Sequence, residues 1–447
     1  MHTALGSPIR ANFEITDSCP LACEHCYTYW GFSATGVRNS KDRSGRSLAD
    51  MEAVLDVIIA SGVQVVTFTG GEPLVRKDLL FPLIARAKSN GMRVLVNTSA
   101  TMLSAADADR MAELRVDGFL VSLMSSDEDE NNLLAHANSY ARTTRGIRML
   151  ADRGLVVTVN MVCSKANYGT VRETAQLATD LGAVMFSATP MLPTPGNMLA
   201  NRLHLDPDEL HDVMFDLLWA RDNLPIQVTT LDPVVHCQFD SSDREQLGSL
   251  LGERYCCAGI TDCAVSPNGD LRACIMTDQV AGNLLTDGWE KSWEALSPWR
   301  EPTILPTACR ECDLVDACGG GCRVAAQATT GDLSGRDPYM TLPIVGVSAG
   351  GAIRPQVPEL EPRTFLTFHP DVVARPEPFG GSLFLRGKAT FLKQGPFALT
   401  TGQQARGPFT PLDWAQEHEL SIKSVLDFLS VLRADGFLIP VEGGERK

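Results

Sequence analysis

The run DSCPLACEHCYTYW, residues 17–30, places Cys19, Cys23 and Cys26 in the spacing Cys-x3-Cys-x2-Cys, directly after an apolar, strand-like stretch at residues 13–16. Three thiolates can hold a four-iron cluster and leave one iron open, and an iron without a protein ligand can bind and reduce a small molecule. The triplet by itself also fits a zinc site that lacks its fourth ligand, or three unrelated thiols. The stretch therefore indicates a metal centre at the end of a first strand.

The tetrapeptide Gly70, Gly71, Glu72 and Pro73 follows the next strand-like run, residues 63–69. In an ordinary protein it would be a strand-to-helix turn, since glycine tolerates positive φ and proline opens a helix. At the end of a strand, the two glycines also let backbone carbonyl and amide groups approach a ligand closely. Its position about fifty residues after the cysteine triplet favours this second interpretation.

Together, the triplet and the GGEP turn resemble the radical S-adenosylmethionine (SAM) superfamily. The resemblance implies a catalytic [4Fe-4S] cluster on Cys19, Cys23 and Cys26, whose open iron chelates the amino and carboxylate groups of SAM. It implies that residues 70–73 hold the methionine amino group and that His25 fills the place where the family usually carries a ring. Reductive cleavage of SAM then gives methionine and a 5'-deoxyadenosyl radical, which takes a hydrogen atom from the substrate.

Short β-rich runs alternate with helix-period segments from residue 10 to about residue 225. The predicted strands are residues 11–16, 63–69, 93–97, 118–123, 155–162 and 184–188. Between them, apolar residues recur at spacings of three and four, as at Met51, Val54, Leu55, Ile58 and Ile59. Six strand-helix units in order predict an α/β fold with a parallel sheet, a partial (βα)6 barrel.

Polar residues at the carboxyl ends of these strands are candidate SAM contacts, because ligands of such sheets bind at that edge. Asn97, Ser99, Ser122 and Asn160 fall at or just beyond those ends. The family often has an Asp-Gly pair after the fourth strand, whereas this chain reads SLMSSD, with Met124 there. The Asp-Gly pair that the family has for contacts to the SAM ribose is therefore replaced in this chain. For Asn160, a local cap or turn is the alternative to a contact with SAM.

A second field of cysteines lies in two ordered groups. They read Cys256-x6-Cys263-x5-Gly269-x4-Cys274 and Cys309-x2-Cys312-x5-Cys318-x3-Cys322, with a hairpin turn at residues 267–270. The pattern resembles the SPASM extension of radical SAM proteins, which carries two auxiliary iron-sulfur clusters. The resemblance implies one cluster on Cys256, Cys263, Cys274 and Cys322 and a second on Cys309, Cys312 and Cys318. A pair of structural zinc ribbons is the alternative.

The second auxiliary cluster lacks a fourth thiolate in this pattern. The family closes it with a Cys in a sequence like DPYC, whereas residues 337–340 read DPYM here. Thioether sulfur is a poor ligand for these irons, so either Asp337 supplies a carboxylate, or one iron is open, or the cluster is unstable. Cys163, Cys237 and Cys257 remain, and we interpret them as buried or neighbouring thiols rather than ligands.

Composition restricts the class of protein. With 447 residues and 44% apolar content, the chain can bury a large core and is expected to form two or three domains. The amino terminus lacks the basic start and apolar core of a signal peptide, so we expect reduced thiols in the cytoplasm. No apolar run is long enough to span a bilayer, and a net charge of -15 argues against broad nucleic-acid binding. The acidic run at residues 127–130 is expected to be a solvated loop.

The chain is expected to comprise a radical SAM barrel at residues 1–228, a SPASM domain at 229–345, a Pro- and Gly-rich linker at 346–360 and a small domain at 361–447.

The last segment predicts a winged-helix-like α+β domain. Residues 369–400 suggest two strands around a glycine-bearing turn, Thr410 and Pro411 open one helix, and Ser421 caps another with an apolar face. HPDVVARPEPFGG resembles the small chaperone of mycofactocin biosynthesis and, more distantly, the PqqD-like chaperone of pyrroloquinoline quinone. These domains bind a precursor's leader as an added strand. A DNA-reading winged helix is the alternative, but its longest helix, SIKSVLDFLSVLRADGF, carries only two cations.

Taken together, the resemblances imply a radical SAM/SPASM maturase, most similar to the mycofactocin maturase family, that modifies a ribosomally made precursor peptide. They imply a flavodoxin- or ferredoxin-type electron donor, and auxiliary clusters that handle the electron of the substrate radical. The alternatives are a formylglycine-type sulfatase maturase, an enzyme that modifies a small molecule or tetrapyrrole, and a zinc-bound scaffold without redox activity. The bond formed in the peptide is left open, because fold and cofactor are shared by many such reactions.

Overall fold

The structure, a computed structural model, describes residues 5–28, 45–195, 197, 200–252, 255–345, 360–386 and 388–441. The chain divides into two compact units, the first built mainly from Ser7–Ser348 and the second mainly from Ala349–Lys447. Most of the predicted linker, residues 346–359, lies outside the described residues. The division of the first unit at residue 228 stays a prediction.

The first unit contains a ten-stranded sheet with the order β10-β9-β8-β1-β2-β3-β4-β5-β6-β7. The strands are β1 (Arg10–Thr16), β2 (Val65–Gly70), β3 (Arg93–Thr98), β4 (Gly118–Ser122), β5 (Val157–Cys163), β6 (Met185–Pro190), β7 (Gln227–Thr229), β8 (Asp262–Val265), β9 (Asp270–Arg272) and β10 (Val280–Asn283). Pairing is parallel from β8 through β1 to β7 and antiparallel from β8 to β10. The six predicted strands are confirmed as β1 to β6, with ends shifted by at most two residues.

Helices alternate with these strands, as the predicted barrel pattern requires. They are α1 (Leu48–Ala60), α2 (Lys77–Ser89), α3 (Ala105–Glu113), α4 (Glu128–Ala135), α5 (Tyr140–Ala151), α6 (Val171–Asp180), α7 (Ala200–Leu203), α8 (Pro207–Asn223), α9 (Ser241–Leu247), α10 (Ser249–Gly252), α11 (Trp289–Glu294), α12 (Val315–Cys318) and α13 (Arg323–Thr330). The predicted apolar face of α1 is buried at Met51, Val54, Leu55 and Ile58. The fold class, an α/β protein with a parallel sheet, is confirmed.

Helix α4 corrects one expectation. The acidic run at residues 127–130 is the start of this helix rather than a loop. Asp127 is the N-cap and accepts a hydrogen bond from Glu130 N at 2.8 Å. The acidic residues of the first turn face the positive end of the helix dipole, which stabilises them there.

The strands of the second cysteine field join the edge of the barrel sheet. Strand β8 pairs in parallel with β1, from Arg10↔Asp262 to Phe13↔Val265. The predicted hairpin turn connects β8 to β9. This pairing brings the second field next to the strand that leads into the cysteine triplet, and the sequence pattern did not predict it.

A buried ion pair reinforces that junction. The carboxylate of Glu14 on β1 accepts a hydrogen bond from the guanidinium of Arg272 on β9, and both side chains are at most 1% exposed. Arg272 also donates to Thr277 O at 2.8 Å. Two buried charges are costly unless each has a partner, so this pair holds β9 in one position relative to β1.

The second unit is an α+β domain with its own apolar core. Its elements are β11 (Leu366–Phe368), β12 (Val373–Glu377), β13 (Gly380–Leu385), β14 (Lys388–Lys393), α14 (Gln394–Arg406), α15 (Pro411–Glu417), α16 (Ile422–Ala434) and β15 (Leu438–Pro440). Strands β12, β13 and β14 form an antiparallel sheet, and β11 pairs with β15. Residues 369–400 thus form three strands and a helix where two strands were expected. The two predicted helices are present as α15 and α16.

Within the described parts of the chain, no helix is both long enough and apolar enough to cross a membrane.

Candidate active site and auxiliary cysteine sites

The GGEP turn packs directly against the end of β1. Gly71 N donates to Thr16 O at 2.7 Å, and Glu72 N donates to Ser18 O at 2.8 Å. A Cβ atom on Gly71 would lie 2.0 Å from Ser18 O, and one on Gly70 would lie 2.3 Å from Thr16 O. Only glycine allows this approach. The turn therefore lies beside the residues that lead into Cys19.

Glu72 ties this turn to the end of β3. Its buried carboxylate accepts hydrogen bonds from Thr98 Oγ1 at 2.6 Å and from Ser99 N and Oγ at 2.7 and 2.6 Å. It also caps the following 3-10 turn by accepting from Leu74 N at 3.1 Å. The structure thus brings two predicted site residues, Glu72 and Ser99, into contact. Both carboxylate oxygens already accept hydrogen bonds, so Glu72 holds the GGEP turn against the end of β3.

The cysteine triplet lies on the loop that follows β1, where Cys19, Cys23, His25 and Cys26 are all half-buried. Asn197 Nδ2 donates to Glu24 O at 2.8 Å and to Cys26 O at 3.1 Å, and Glu24 N donates to Leu134 O at 3.1 Å. Cys26 Sγ lies 3.1 Å from Thr28 Oγ1. These contacts anchor the backbone of the loop. Asn197 was missed by the sequence reasoning, since a lone Asn far along the chain carries no local signal.

The cysteine loop offers three thiols as candidate metal donors. None of the cysteines forms a disulfide. Among the described residues, no group of three His, Cys, Asp or Glu side chains is arranged to hold one metal ion. A four-iron cluster is wider than a single ion, because its own sulfides bridge the irons, and its thiolate ligands stand correspondingly farther apart. Three half-buried thiols on one short loop suit that group.

Polar side chains from four neighbouring strands, β3 to β6, share one face of the sheet. Ser122 pairs with Asn160 and Asn160 with Ser187, while Asn97 pairs with the residue two positions before Ser122. Side chains two residues apart point to the same face, so these predicted residues lie in one row. Asn160 Oδ1 accepts a hydrogen bond from Thr189 Oγ1 at 2.9 Å. Ser187 and Thr189 were not predicted, although their two-residue spacing at the end of a predicted strand could have indicated them.

Tyr27 lies within electrostatic reach of both cysteine fields. Burial and the neighbouring Glu14 carboxylate raise the pKa of Tyr27 well above its usual range, and Cys26 and Cys274 add to the increase. A hydrogen bond with Thr69 opposes it. Residues of the cysteine loop and of the second field thus both influence Tyr27, which the sequence reasoning did not single out.

The thiols predicted for the first auxiliary cluster are mostly brought together. Burial raises the pKa of Cys274 to about 12, with a further contribution from Cys256. Burial also raises the pKa of Cys322 well above its usual range, and Cys256 and Cys274 contribute. Cys263 is placed differently, because it lies on β8 opposite Ala11, on the apolar face of β1.

The thiols predicted for the second auxiliary cluster line one cavity. Cys309, Cys312, Cys318 and Met340 all border it. Cys309 Sγ lies 3.9 Å from Met340 Sδ, so the methionine stands beside the thiols where the family has its last cysteine.

Asp337, a predicted candidate for the fourth ligand, is hydrogen-bonded to the backbone around it. It is 2% exposed, and its two carboxylate oxygens accept hydrogen bonds from Cys322 N at 2.7 Å and Tyr339 N at 2.9 Å. Burial nevertheless raises its pKa to about 6. Gly321 allows the close packing, since a Cβ there would lie 2.5 Å from Asp337 Oδ2. Asp337 thus positions the segment that carries Cys322.

Two comparisons of the sequence identify the family. A sequence profile of the radical SAM superfamily matches residues 13–178, which include the end of β1, the cysteine loop, the GGEP turn and strands β2 to β5. The mycofactocin maturase of Mycobacterium ulcerans is 30% identical over 344 residues, which cover 75% of this chain and 88% of that protein.

The chain belongs to the radical SAM superfamily.

Other similarities agree with this assignment. The AdoMet-dependent heme synthase of Methanosarcina barkeri is 24% identical over 347 residues, covering 74% of this chain and 96% of that protein. The crystal structure of Streptococcus suis SuiB bound to its precursor peptide SuiA matches with a TM-score of 0.60 and 19% identity, covering 76% of this chain and 77% of SuiB. At that identity the likeness concerns the fold.

As a radical SAM protein, this chain is an enzyme whose family uses SAM and a [4Fe-4S] cluster. The predicted resemblance to this superfamily is confirmed. The assignment of individual cysteines and polar residues to these cofactors remains a prediction.

Proposed function

We propose that this radical SAM enzyme modifies a ribosomally made precursor peptide. The observation that carries the proposal is the 30% identity to a mycofactocin maturase over 88% of that relative's length. The likeness of fold extends to SuiB, whose structure holds a precursor peptide. The enzyme would act in the cytoplasm and take electrons from a flavodoxin- or ferredoxin-type donor.

Cys19, Cys23 and Cys26 would hold the cluster that binds SAM. When bound, SAM and this cluster supply a 5'-deoxyadenosyl radical that removes a hydrogen atom from the substrate. The contribution of this chain is to place SAM and to keep water away. Residues 70–73 offer backbone groups beside the cysteine loop, because no side chain stands between the turn and the end of β1.

The row of polar residues on β3 to β5, Asn97, Ser122 and Asn160, would bind the rest of SAM. Asn97, Ser122 and Asn160 lie on one face near the carboxyl ends of their strands, and Ser99 is held at the same edge by Glu72. These groups can donate and accept hydrogen bonds with a ribose and a carboxylate. His25, on the cysteine loop itself, would pack beside the bound cofactor.

Two auxiliary iron-sulfur clusters would occupy the second cysteine field. Cys256, Cys274 and Cys322 act electrostatically on one another, and Cys309, Cys312 and Cys318 line one cavity. Cys263 remains a proposed ligand of the first of these clusters. Cys26 and Cys274 both act electrostatically on Tyr27, which supports a second field close enough to the cysteine loop for electron transfer from a substrate radical.

The second unit would bind the leader of the precursor. In the part of this unit that the structure describes, β12 and β14 are the two edges of the three-stranded sheet. An extended peptide can add to such an edge through main-chain hydrogen bonds, with neighbouring pockets for alternate side chains. This is the mode of the PqqD-like chaperones that the segment resembles.

The decisive experiment is anaerobic reconstitution with iron, sulfide and SAM, followed by incubation with a short peptide encoded beside this gene. We expect 5'-deoxyadenosine together with a mass change in the peptide, both measured by liquid chromatography and mass spectrometry. A colourless protein that holds zinc instead of iron would contradict the assignment as an enzyme. Formation of 5'-deoxyadenosine without any change in the peptide would contradict the peptide substrate.

A tetrapyrrole substrate is the second candidate. The similarity to an AdoMet-dependent heme synthase over 96% of its length favours it. A tetrapyrrole substrate would not explain why the second unit resembles a peptide-binding domain. Adding an iron porphyrin precursor in place of the peptide to the same assay separates the two candidates.

A further inference from the structure

The cavity beside Met340 contains a fourth thiol that the cysteine pattern did not include. Besides Cys309, Cys312 and Cys318, it is lined by Cys237 and by the neighbouring His236. Cys237 precedes the motif by about seventy residues, so no short spacing connects it with the others. Four cysteines around one cavity match the number of thiolates that a [4Fe-4S] cluster takes.

The backbone holds Cys237 against this cavity from two sides. Cys237 lies in a 3-10 turn, His236–Gln238. The backbone amide of His236 donates to Cys318 Sγ at 3.4 Å, which joins the turn to α12. The hydroxyl of Thr341 donates to the carbonyl oxygen of Cys237, which joins the turn to the residue after Met340. The turn is thus fixed between two segments that border the cavity.

The other candidates for the fourth position are less suitable. Met340 offers only a thioether, which binds these irons poorly. Asp337 already accepts hydrogen bonds from Cys322 N and Tyr339 N with its two oxygens, and moving it would leave buried amides unpaired. His236 has its Nε2 at 3.1 Å from Leu251 O.

We propose that Cys237 is the fourth ligand of the second auxiliary cluster, in place of the cysteine that the family carries at position 340. The proposal rests on the proposed function in so far as it requires an auxiliary cluster at Cys309, Cys312 and Cys318. The Cys237 thiol binds iron as its thiolate and releases its proton to solvent. The second auxiliary cluster then has four thiolates and no open iron.

The test measures iron and acid-labile sulfide per chain after anaerobic reconstitution, together with the Mössbauer spectrum. We compare Cys237→Ala with Cys309→Ala as the positive control and Cys163→Ala as the matched control, because Cys163 is a free thiol buried on β5, away from the cavity. We expect Cys237→Ala and Cys309→Ala each to lose about four irons per chain, or to alter the spectrum of that cluster, while Cys163→Ala keeps both.

A second variant distinguishes the loss of a cluster ligand from general misfolding. Met340 borders the same cavity, so the double variant Cys237→Ala with Met340→Cys should recover the iron that Cys237→Ala loses. In the unaltered protein, Cys237 should resist alkylation by iodoacetamide when the clusters are present and react after the metal is removed.

Retention of iron and an unchanged spectrum in Cys237→Ala, while Cys309→Ala loses its cluster, would overturn the proposal and leave the auxiliary cluster intact. Equal alkylation of Cys237 with and without clusters would also overturn it. Retention of all iron in both variants would instead show that this cavity holds no cluster, which would contradict that part of the proposed function as well.

Discussion

At the scale of single residues, the site depends on buried charges whose partners come from distant parts of the chain. Glu72 accepts hydrogen bonds from the end of β3, and Glu14 on β1 pairs with Arg272 on β9. Sequence reasoning identified Glu72 as part of a motif but could not assign its supporting function. It did not identify Glu14 or Arg272 at all, since a carboxylate within a strand carries no signal of its partner.

Replacing Arg272 by Met tests the buried pair. The change leaves the Glu14 carboxylate buried without its partner, which should lower the free energy of unfolding by about 3–5 kcal/mol. The double variant with Glu14→Gln should recover part of this loss. The measurement is a denaturant titration of each variant.

The control is the exposed pair of Arg110 and Glu113, whose side chains are 54% and 64% exposed. Arg110→Met should change stability by no more than about 0.5 kcal/mol. An equally small effect of Arg272→Met would mean that the buried pair does not hold β9 to β1.

Replacing Cys19, Cys23 and Cys26 together by Ala tests the catalytic cluster. SAM cleavage should fall to background, because the loop after β1 would no longer offer thiolates, while iron bound to the second field should remain. Iron analysis and 5'-deoxyadenosine formation measure the two effects separately. The assignment fails if this triple variant cleaves SAM at the unaltered rate.

At the scale of elements, local patterns predicted the central strands of the sheet and the helices between them. Strands β1 to β6 were recognisable from their β-rich runs, and α1 from its apolar spacing. The short strands β7, β10, β11 and β14 were missed, because three to six residues at a sheet edge show little periodicity. The acidic start of α4 was misinterpreted, since a cap and a solvated loop use the same residues.

The contact between the GGEP turn and β1 can be tested with one methyl group. Gly71→Ala should weaken SAM binding and lower stability by about 1–3 kcal/mol, because the new Cβ would overlap Ser18 O. Gly169→Ala is the matched control, since no atom lies within 4 Å of a Cβ at that position. Isothermal titration with SAM and thermal unfolding are the measurements, and equal behaviour of the two variants would contradict a tight contact.

At the scale of the whole molecule, the chain forms two units with separate apolar cores. The core of the first unit includes β1 to β6 and the second cysteine field, whereas the core of the second unit includes Leu366, Leu383, Trp414 and Leu429. Each unit buries its own apolar surface. A change in one therefore need not unfold the other.

Removing residues 361–447 tests whether the second unit binds the precursor. SAM cleavage without peptide should continue, since the first core is intact, while binding of the full precursor should weaken at least tenfold, or by about 1.4 kcal/mol. Fluorescence anisotropy with a labelled precursor measures the affinity. A precursor without its leader is the control and should bind the truncated and complete proteins alike. Equal affinities for the full precursor would rule out leader binding by the second unit.

The sequence by itself determined the superfamily, the parallel α/β fold and the candidate cysteines, because these depend on short spacings and local periodicity. Only the tertiary structure decided which side chains meet. It paired β8 with β1, joined Glu14 to Arg272 and placed Cys237 beside Cys309, Cys312 and Cys318. Each of these contacts joins residues about seventy to two hundred and fifty positions apart. They arise from the packing of whole elements, and no short stretch of sequence carries a signal for them.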